Sequence, residues 1–209
     1  TYLNTPYNFN AEEITVEPAS FGIENVAITD TLGNIAMARG KLHHDNFKNF
    51  HFDFDIEPKK FLCLNTSEAQ NSLYYGKAFA TGSVNIFGPL DKLTLDANVK
   101  TEKGTQLFIP LSGVSEVAES NFITFVKKDT VKAKGKDDYR VNLNGMQLNF
   151  NIDVTPDAVA QLIFDQKVGG VIKGKGSGTL KMGINTLGNF NMYGDYTVES
   201  GDYLFTLKN

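Results

Sequence analysis

Three histidines, a single cysteine, one glycine-rich run and a set of regularly spaced aspartates are the residues of this chain whose types could do chemistry. His43-His44-Asp45 with His51 offers imidazole and carboxylate donors of the kind that hold zinc. Successive side chains on a strand point to opposite faces, however, and His51 falls on the polar side of its run. The four do not converge and read as surface residues in and beside a hairpin. Cys63 invites a thiol nucleophile, but nothing local would activate it, and Leu62 and Leu64 flank it. Apolar surroundings raise a thiol's pKa, so Cys63 reads as a buried small hydrophobe. Gly174-Lys175-Gly176-Ser177-Gly178 has the composition of a phosphate-binding loop, yet it opens a strand rather than a helix, and without a helix N-terminus there is no cradle. Glycines at alternate positions instead thin one face of a sheet where it bends or where backbones crowd. Asp53, Asp55, Asp96 and Asp153 have the type needed for paired acid catalysis, but each alternates with apolar residues on the solvated side of a strand. No catalytic residue, metal ligand or cofactor is assigned, and the chain is expected not to be an enzyme.

The elements that carry these residues are legible from period-two alternation. Phe50 to Ile56, Leu93 to Val99, Leu148 to Val154 and Phe190 to Val198 each alternate apolar and polar residues almost without error. Each therefore places an apolar stripe on one face and carboxylates or amides on the other. Turn signals recur at Asp30-Thr31-Leu32-Gly33-Asn34, Gly88-Pro89-Leu90-Asp91, Lys103-Gly104, Asn144-Gly145, Thr155-Pro156-Asp157, Leu187-Gly188-Asn189 and Glu199-Ser200-Gly201-Asp202. Together they describe an antiparallel meander of about a dozen strands. Helical pattern is confined to a patch within Ser112 to Ser120. The charged stretch 127–138 has no period and reads as a mobile, solvated loop.

Composition narrows the function. Twenty basic against 24 acidic residues give a net charge of −4, which supplies no electrostatic footprint for nucleic acid. No apolar run approaches the roughly 20 residues of a membrane-spanning helix. The first residue is Thr1, and an uncharged strand, Tyr203-Leu204-Phe205-Thr206-Leu207, lies two residues from the last, so residues 1–209 read as one all-β repeat domain cut from a longer protein. A weak repeat aligns Gly33…Gly40-Lys41-Leu42, Gly76…Gly82-Ser83-Val84 and Gly170…Gly178-Thr179-Leu180, each followed by an alternating strand after 10, 11 and 12 residues. Such units favour an elongated hairpin array, roughly 60 Å long at strand spacing if stacked in one layer.

The segments Tyr75 to Pro89, Lys100 to Thr105 and Gly188 to Tyr196 together resemble the C-terminal conserved domain of the TamB family, translocation and assembly module proteins, in the form found in the Bacteroidetes. The likeness runs from about Gly33 onward and extends to the AsmA-like bridge proteins of lipid transport. It implies an elongated, curled antiparallel or mixed sheet, a taco-like half-pipe with an apolar inner groove, in an inner-membrane-anchored protein that spans the periplasm. It further implies work with a BamA-like or TamA-like outer-membrane barrel, in outer-membrane protein assembly and in phospholipid movement between the two membranes. The N-terminal anchor of the family is absent from this sequence, and its extreme C-terminal tail looks truncated.

Alternation alone favours an ordinary sandwich core, since any half-buried sheet shows it. The hairpin repeat and the resemblance turn the reading toward a groove for acyl chains lined by Phe50, Phe52, Phe54, Ile56, Leu93, Leu95, Val99, Leu148, Phe150, Ile152, Val154, Leu180, Met182 and Ile184. Expected partners are phospholipid, nascent outer-membrane proteins and the barrel, reached through the full-length protein. The rival expectation is a surface adhesin or carbohydrate-binding sandwich that stacks sugars on Tyr74-Tyr75 or on Tyr193 with Tyr196.

Overall fold

The computed structural model describes residues 3–10, 13–71, 74–110, 145–165, 170–185 and 190–204. The helical patch at 112–120 and the charged stretch 127–138 lie outside them. Among the described residues thirteen strands form one sheet: β1 (Asn8–Asn10), β2 (Ile14–Glu17), β3 (Ser20–Thr29), β4 (Ile35–Asp45), β5 (Lys48–Pro58), β6 (Phe61–Thr66), β7 (Tyr75–Pro89), β8 (Thr94–Thr101), β9 (Gln106–Pro110), β10 (Gln147–Val154), β11 (Val159–Asp165), β12 (Gly170–Ile184) and β13 (Phe190–Leu204). A single 3₁₀ turn, Leu90–Lys92, joins β7 to β8.

Several short strands are halves of longer ones. β1 and β2 lie end to end along one edge of β3. β5 and β6 follow one edge of β7, and β8 and β9 follow the other. β10 and β11 run beside β8 and β9, and both continue along β12, which β13 accompanies almost throughout. The sheet therefore advances as β1/β2, β3, β4, β5/β6, β7, β8/β9, β10/β11, β12, β13.

The step from β8/β9 to β10/β11 is parallel, so the sheet is mixed rather than a pure antiparallel meander. Parallel neighbours require a long crossover, and the chain between Pro110 and Gln147 provides the length for one. Three expected hairpins are not reversals. Lys103-Gly104 and Thr155-Pro156-Asp157 lie in one-turn interruptions closed by Thr105 N–H to Glu102 O (3.2 Å) and Ala158 N–H to Thr155 O (3.0 Å). The two interruptions sit side by side, bridged by Val159 N–H to Thr105 O (2.9 Å) and by Thr155, whose N–H donates to Thr101 Oγ1 (2.9 Å) and whose hydroxyl donates to Thr101 O (3.0 Å). Glu199-Ser200-Gly201-Asp202 lies within β13, where Glu199 is the extra residue opposite the Lys175–Gly176 step. Two further expected turns, at Asn144 and at Leu187-Gly188-Asn189, lie outside the described residues.

Breaks and bulges bend strands and increase their twist. Here the Pro58–Lys60 break, the interruptions at Glu102–Thr105 and Thr155–Ala158, and the Glu199 bulge fall at neighbouring positions along successive strands. The sheet curls about that line. The core records the curl: Ile109 and Ile184 are each 1% exposed although they belong to one sheet, a degree of burial that a flat single layer cannot provide. Ala36, Ala38, Phe61, Leu64, Leu148 and Met182 are buried on the same account.

Candidate functional site

Cross-strand partners share a face, so the register assigns each predicted groove residue to one side. Phe54, Ile86, Leu95, Leu148 and Ile184 form a row of successive partners from β5 to β12. Ile56, Val84, Ala97, Phe150, Met182 and Met192 form the next row, and Val99, Ile152 and Leu180 the one after. Phe50, Phe52 and Val154 alternate into the same face, and Leu93 immediately precedes β8. Leu148, Val154, Met182 and Ile184 are buried; Phe50, Phe52, Phe54, Ile56, Leu93, Leu95, Val99, Phe150, Ile152 and Leu180 are half-buried. Phe52 and Phe54 lie with ring centroids 6.1 Å apart.

Sequence reasoning missed the β3–β4 part of this face. Phe21 pairs Leu42, which pairs Phe52; Val26 pairs Ala38, which pairs Ile56. Its signal was present in Phe21, Ile23 and in Ala36, Ala38, but small residues and a bulge between Ile23 and Val26 weaken the alternation. Val84 and Ile86 were legible in Ser83-Val84-Asn85-Ile86.

The repeat glycines face the same side. A Cβ on Gly40 would sit 2.2 Å from Asp53 O and 2.6 Å from Phe54 Cα, and one on Gly82 would sit 2.2 Å from Asn98 O and 2.8 Å from Val99 Cα. Both positions need glycine because the next strand's backbone closes on them. Gly176 and Gly178 act alike toward the β13 backbone, and a Cβ on Gly174 would meet Val198 Cγ1 at 2.9 Å, so close packing on β13 accounts for the glycine-rich run.

The opposite face is polar and largely self-satisfied. Arg39, Asp55, Asn85, Asp96 and Asn149 are successive partners. Asn85 donates to Asp55, Asn149 Nδ2 donates to Asp96 Oδ1 (2.6 Å), and Asn151 Nδ2 donates to Asn98 Oδ1 (3.3 Å). Arg39 bridges Asp55 and Glu57 at 3.4 and 3.5 Å, and Lys41 meets Glu17 at 3.0 Å. The hydrogen bond from Ser20, then Lys41, holds the Glu17 carboxyl below its usual range. Asp53 and Asp153 are exposed, Asp55 and Asp96 half-buried, and none is paired with another carboxylate as an acid pair would be.

Asp30 anchors the β3–β4 turn. Its Oδ1 accepts from Leu32 N–H (2.8 Å) and Asn34 N–H (2.9 Å), and its Oδ2 from Asn34 Nδ2 (2.8 Å) and Leu62 N–H (2.9 Å). Burial acts to raise its pKa, but these hydrogen bonds outweigh it and hold the carboxyl below its ordinary value. Cys63 sits at the β6 bulge, its Sγ 3.3 Å from Phe61 O, and burial pushes the thiol up to about 11.

One histidine departs from expectation. His44 is buried, not on the surface, because it shares the apolar face with Leu42 at the strand end and is enclosed by Phe21, Phe47 and Phe50. Its Nδ1 accepts from Phe47 N–H (3.4 Å), and its Nε2 is buried without a hydrogen bond. His43 and His51 are exposed cross-strand partners. Among the described residues no group of three or more His, Cys, Asp or Glu is placed to hold a metal ion. The sugar-stacking pairs also come apart. Tyr74 is buried while Tyr75 stacks flat on Phe108 at 5.0 Å. Tyr193 pairs Lys181 on the polar face, whereas Tyr196 pairs Gly178 on the apolar one.

A family model described as the TamB C-terminal domain matches residues 24–209. The chain belongs to the TamB family. The search of curated proteins and that of solved structures matched nothing. The TamB match begins within β3 and takes in every strand from β4 to β13, including the glycine-bearing repeats and both sides of the parallel step. Among the described residues no helix is long and apolar enough to cross a membrane.

Proposed function

We propose that this TamB domain works in the periplasm, as part of an inner-membrane-anchored envelope protein, and shields hydrocarbon along its apolar face. Phospholipid moving between the inner and outer membranes is the cargo. The observation that supports the reading is the run of half-buried apolar rows, Phe52–Leu42, Phe54–Ile86–Leu95 and Val99–Ile152–Leu180, crossing strand after strand on one face of a curled sheet. Each acyl CH₂ withdrawn from water gains about 0.8 kcal/mol, so a chain of about 16 carbons gains on the order of 10 kcal/mol before its ordering cost. Because successive rows are chemically alike, a chain can slide from one to the next with little change in free energy. The mechanism is passive, and direction comes from elsewhere in the envelope.

A second role shares the scaffold: support of outer-membrane protein assembly together with a TamA-like or BamA-like barrel. It is favoured by β13, which pairs β12 on one side, has no further strand on its other side among the described residues, and carries exposed Val198 and Leu204. A sheet edge of this kind templates an incoming strand.

Organic extraction and mass spectrometry of the purified chain test the principal reading. Phospholipid should co-purify, and Phe52→Arg or Phe150→Asp should remove it while Asp53→Asn retains it. Lipid-free protein at full occupancy of folded material, or equal loss from all three variants, contradicts it.

A further inference from the structure

The polar face carries a hollow of about 510 Å³ that the hydrocarbon reading does not use. Gly183 of β12 forms its floor, between its register partners Asn149 and Asn191. Nothing in the backbone requires glycine here: a Cβ would meet only Leu148 O at 3.7 Å and Asn149 Oδ1 at 4.0 Å. That sets Gly183 apart from Gly176 and Gly178, where a Cβ would come within 2.0 Å of a carbonyl oxygen. What the missing side chain leaves is space. Around it stand Asp96, Asn149, Asn151, Lys181, Asn191 and Tyr193.

The lining is rich in amides and close to neutral, with Asp96 and Lys181 as opposite charges. Each carboxamide has two N–H donors and a carbonyl with two lone pairs. The bonds from Asn149 to Asp96 and from Asn151 to Asn98 engage one donor apiece, Gln147 Nε2 donates to Asn149 Oδ1 at 3.5 Å, and together they hold the side chains in place. Asn149 and Asn151 are two residues apart on β10, so their remaining valences are presented on one face in fixed rows about 6.6 Å apart. Tyr193 is 65% exposed at the rim and offers a ring face beside these groups. Ordered neutral donors and acceptors alternating with one aromatic ring suit a polyhydroxylated ligand rather than an ion or an acyl chain.

We propose that this hollow is a glycan-binding subsite for a neutral, acetamido-bearing oligosaccharide segment, whose acetamido group pairs with the Asn149 and Asn151 carboxamides while a sugar ring packs on Tyr193. In a protein of the cell envelope such a contact tethers the outside of the sheet to polysaccharide and leaves the apolar face free.

The test is titration of the ¹⁵N-labelled chain with an N-acetylglucosamine tetramer, with a maltose-series tetramer as the non-acetamido control. Saturable shifts are expected at the amides of Asn149, Asn151, Gly183 and Tyr193, and weaker ones with the control. Gly183→Gln fills the hollow at a position where a Cβ fits, so it should fold normally and abolish the shifts. Tyr193→Ala should weaken binding about tenfold, the equivalent of about 1.4 kcal/mol. No shifts at millimolar tetramer, equal response to both sugars, or unaltered binding by a folded Gly183→Gln chain each overturn the proposal.

Discussion

Asp55 meets Asn85, Asp96 meets Asn149, and Asn98 meets Asn151 on the polar face, so neighbouring strands there satisfy one another's side chains at their own level. On the apolar face of the same strands, Phe54, Leu95 and Ile152 stay half-buried, while Ile184 and Ile109 are buried. Hydrogen-bonded pairs are complete with two residues. Apolar area is complete only with a second surface, from the curl or from a guest. The difference makes the polar face tolerant of single substitutions and the apolar face fragile.

The strongest break of that comparison is a charge on the covered part of the apolar face. Ile184→Asp should cost about 4 kcal/mol, as an unpaired buried carboxylate does, whereas Asn149→Ala on the other face, next to Ile184's partner Leu148, should cost under about 1 kcal/mol. Urea unfolding midpoints compare the two directly.

Asp30→Ala comes next, at about 3 kcal/mol, because four hydrogen bonds end on one carboxylate and the Leu62 N–H is left buried. Its pH signature has a fixed sign. The folded pKa is depressed, so the contribution is present in full above the unfolded carboxylate value of about 4 and is lost as pH falls through the lower folded value. The wild-type chain should lose stability on acidification below about pH 4 more steeply than the Asp30→Ala variant.

Gly82→Ala should cost about 2 kcal/mol through the Asn98 carbonyl that its Cβ would meet, against a near-neutral Gly183→Ala on the polar side. With its pKa near 11, Cys63 should be alkylated slowly at neutral pH in the native state and rapidly after denaturation. The smallest effect belongs to Arg39→Ala, within about 0.5 kcal/mol, since both of its ion pairs are solvent-exposed.

The faces were legible in the sequence because alternation is a local property: β5, β8, β10 and β13 each announce their stripes within a few residues. Partnership was not. Lys103-Gly104 and Gly88-Pro89 both carry turn chemistry. One bends a strand that β7 keeps extended, and one reverses the chain. Only pairing distant in sequence distinguishes them. β6 was hidden for another reason, since its bulge at Cys63 breaks the period within Phe61-Leu62-Cys63-Leu64. His44 shared its parity with Leu42, but its burial depends on Phe21, Phe47 and Phe50 closing over the strand end. The candidate rows across β5, β8, β10 and β12 were legible residue by residue, and their extension through β3 and β4 was not.

The central claim is that hydrocarbon travels on one face only. It is tested most directly by placing a photocrosslinking amino acid at Phe52 and Ile152 on the apolar face, and at His51 and Asn151 beside them on the polar face, in the full-length protein in living cells. The account expects phospholipid adducts from Phe52 and Ile152 and none from His51 and Asn151. Adducts of equal yield from both faces, or from neither while the protein remains folded and active, would contradict it.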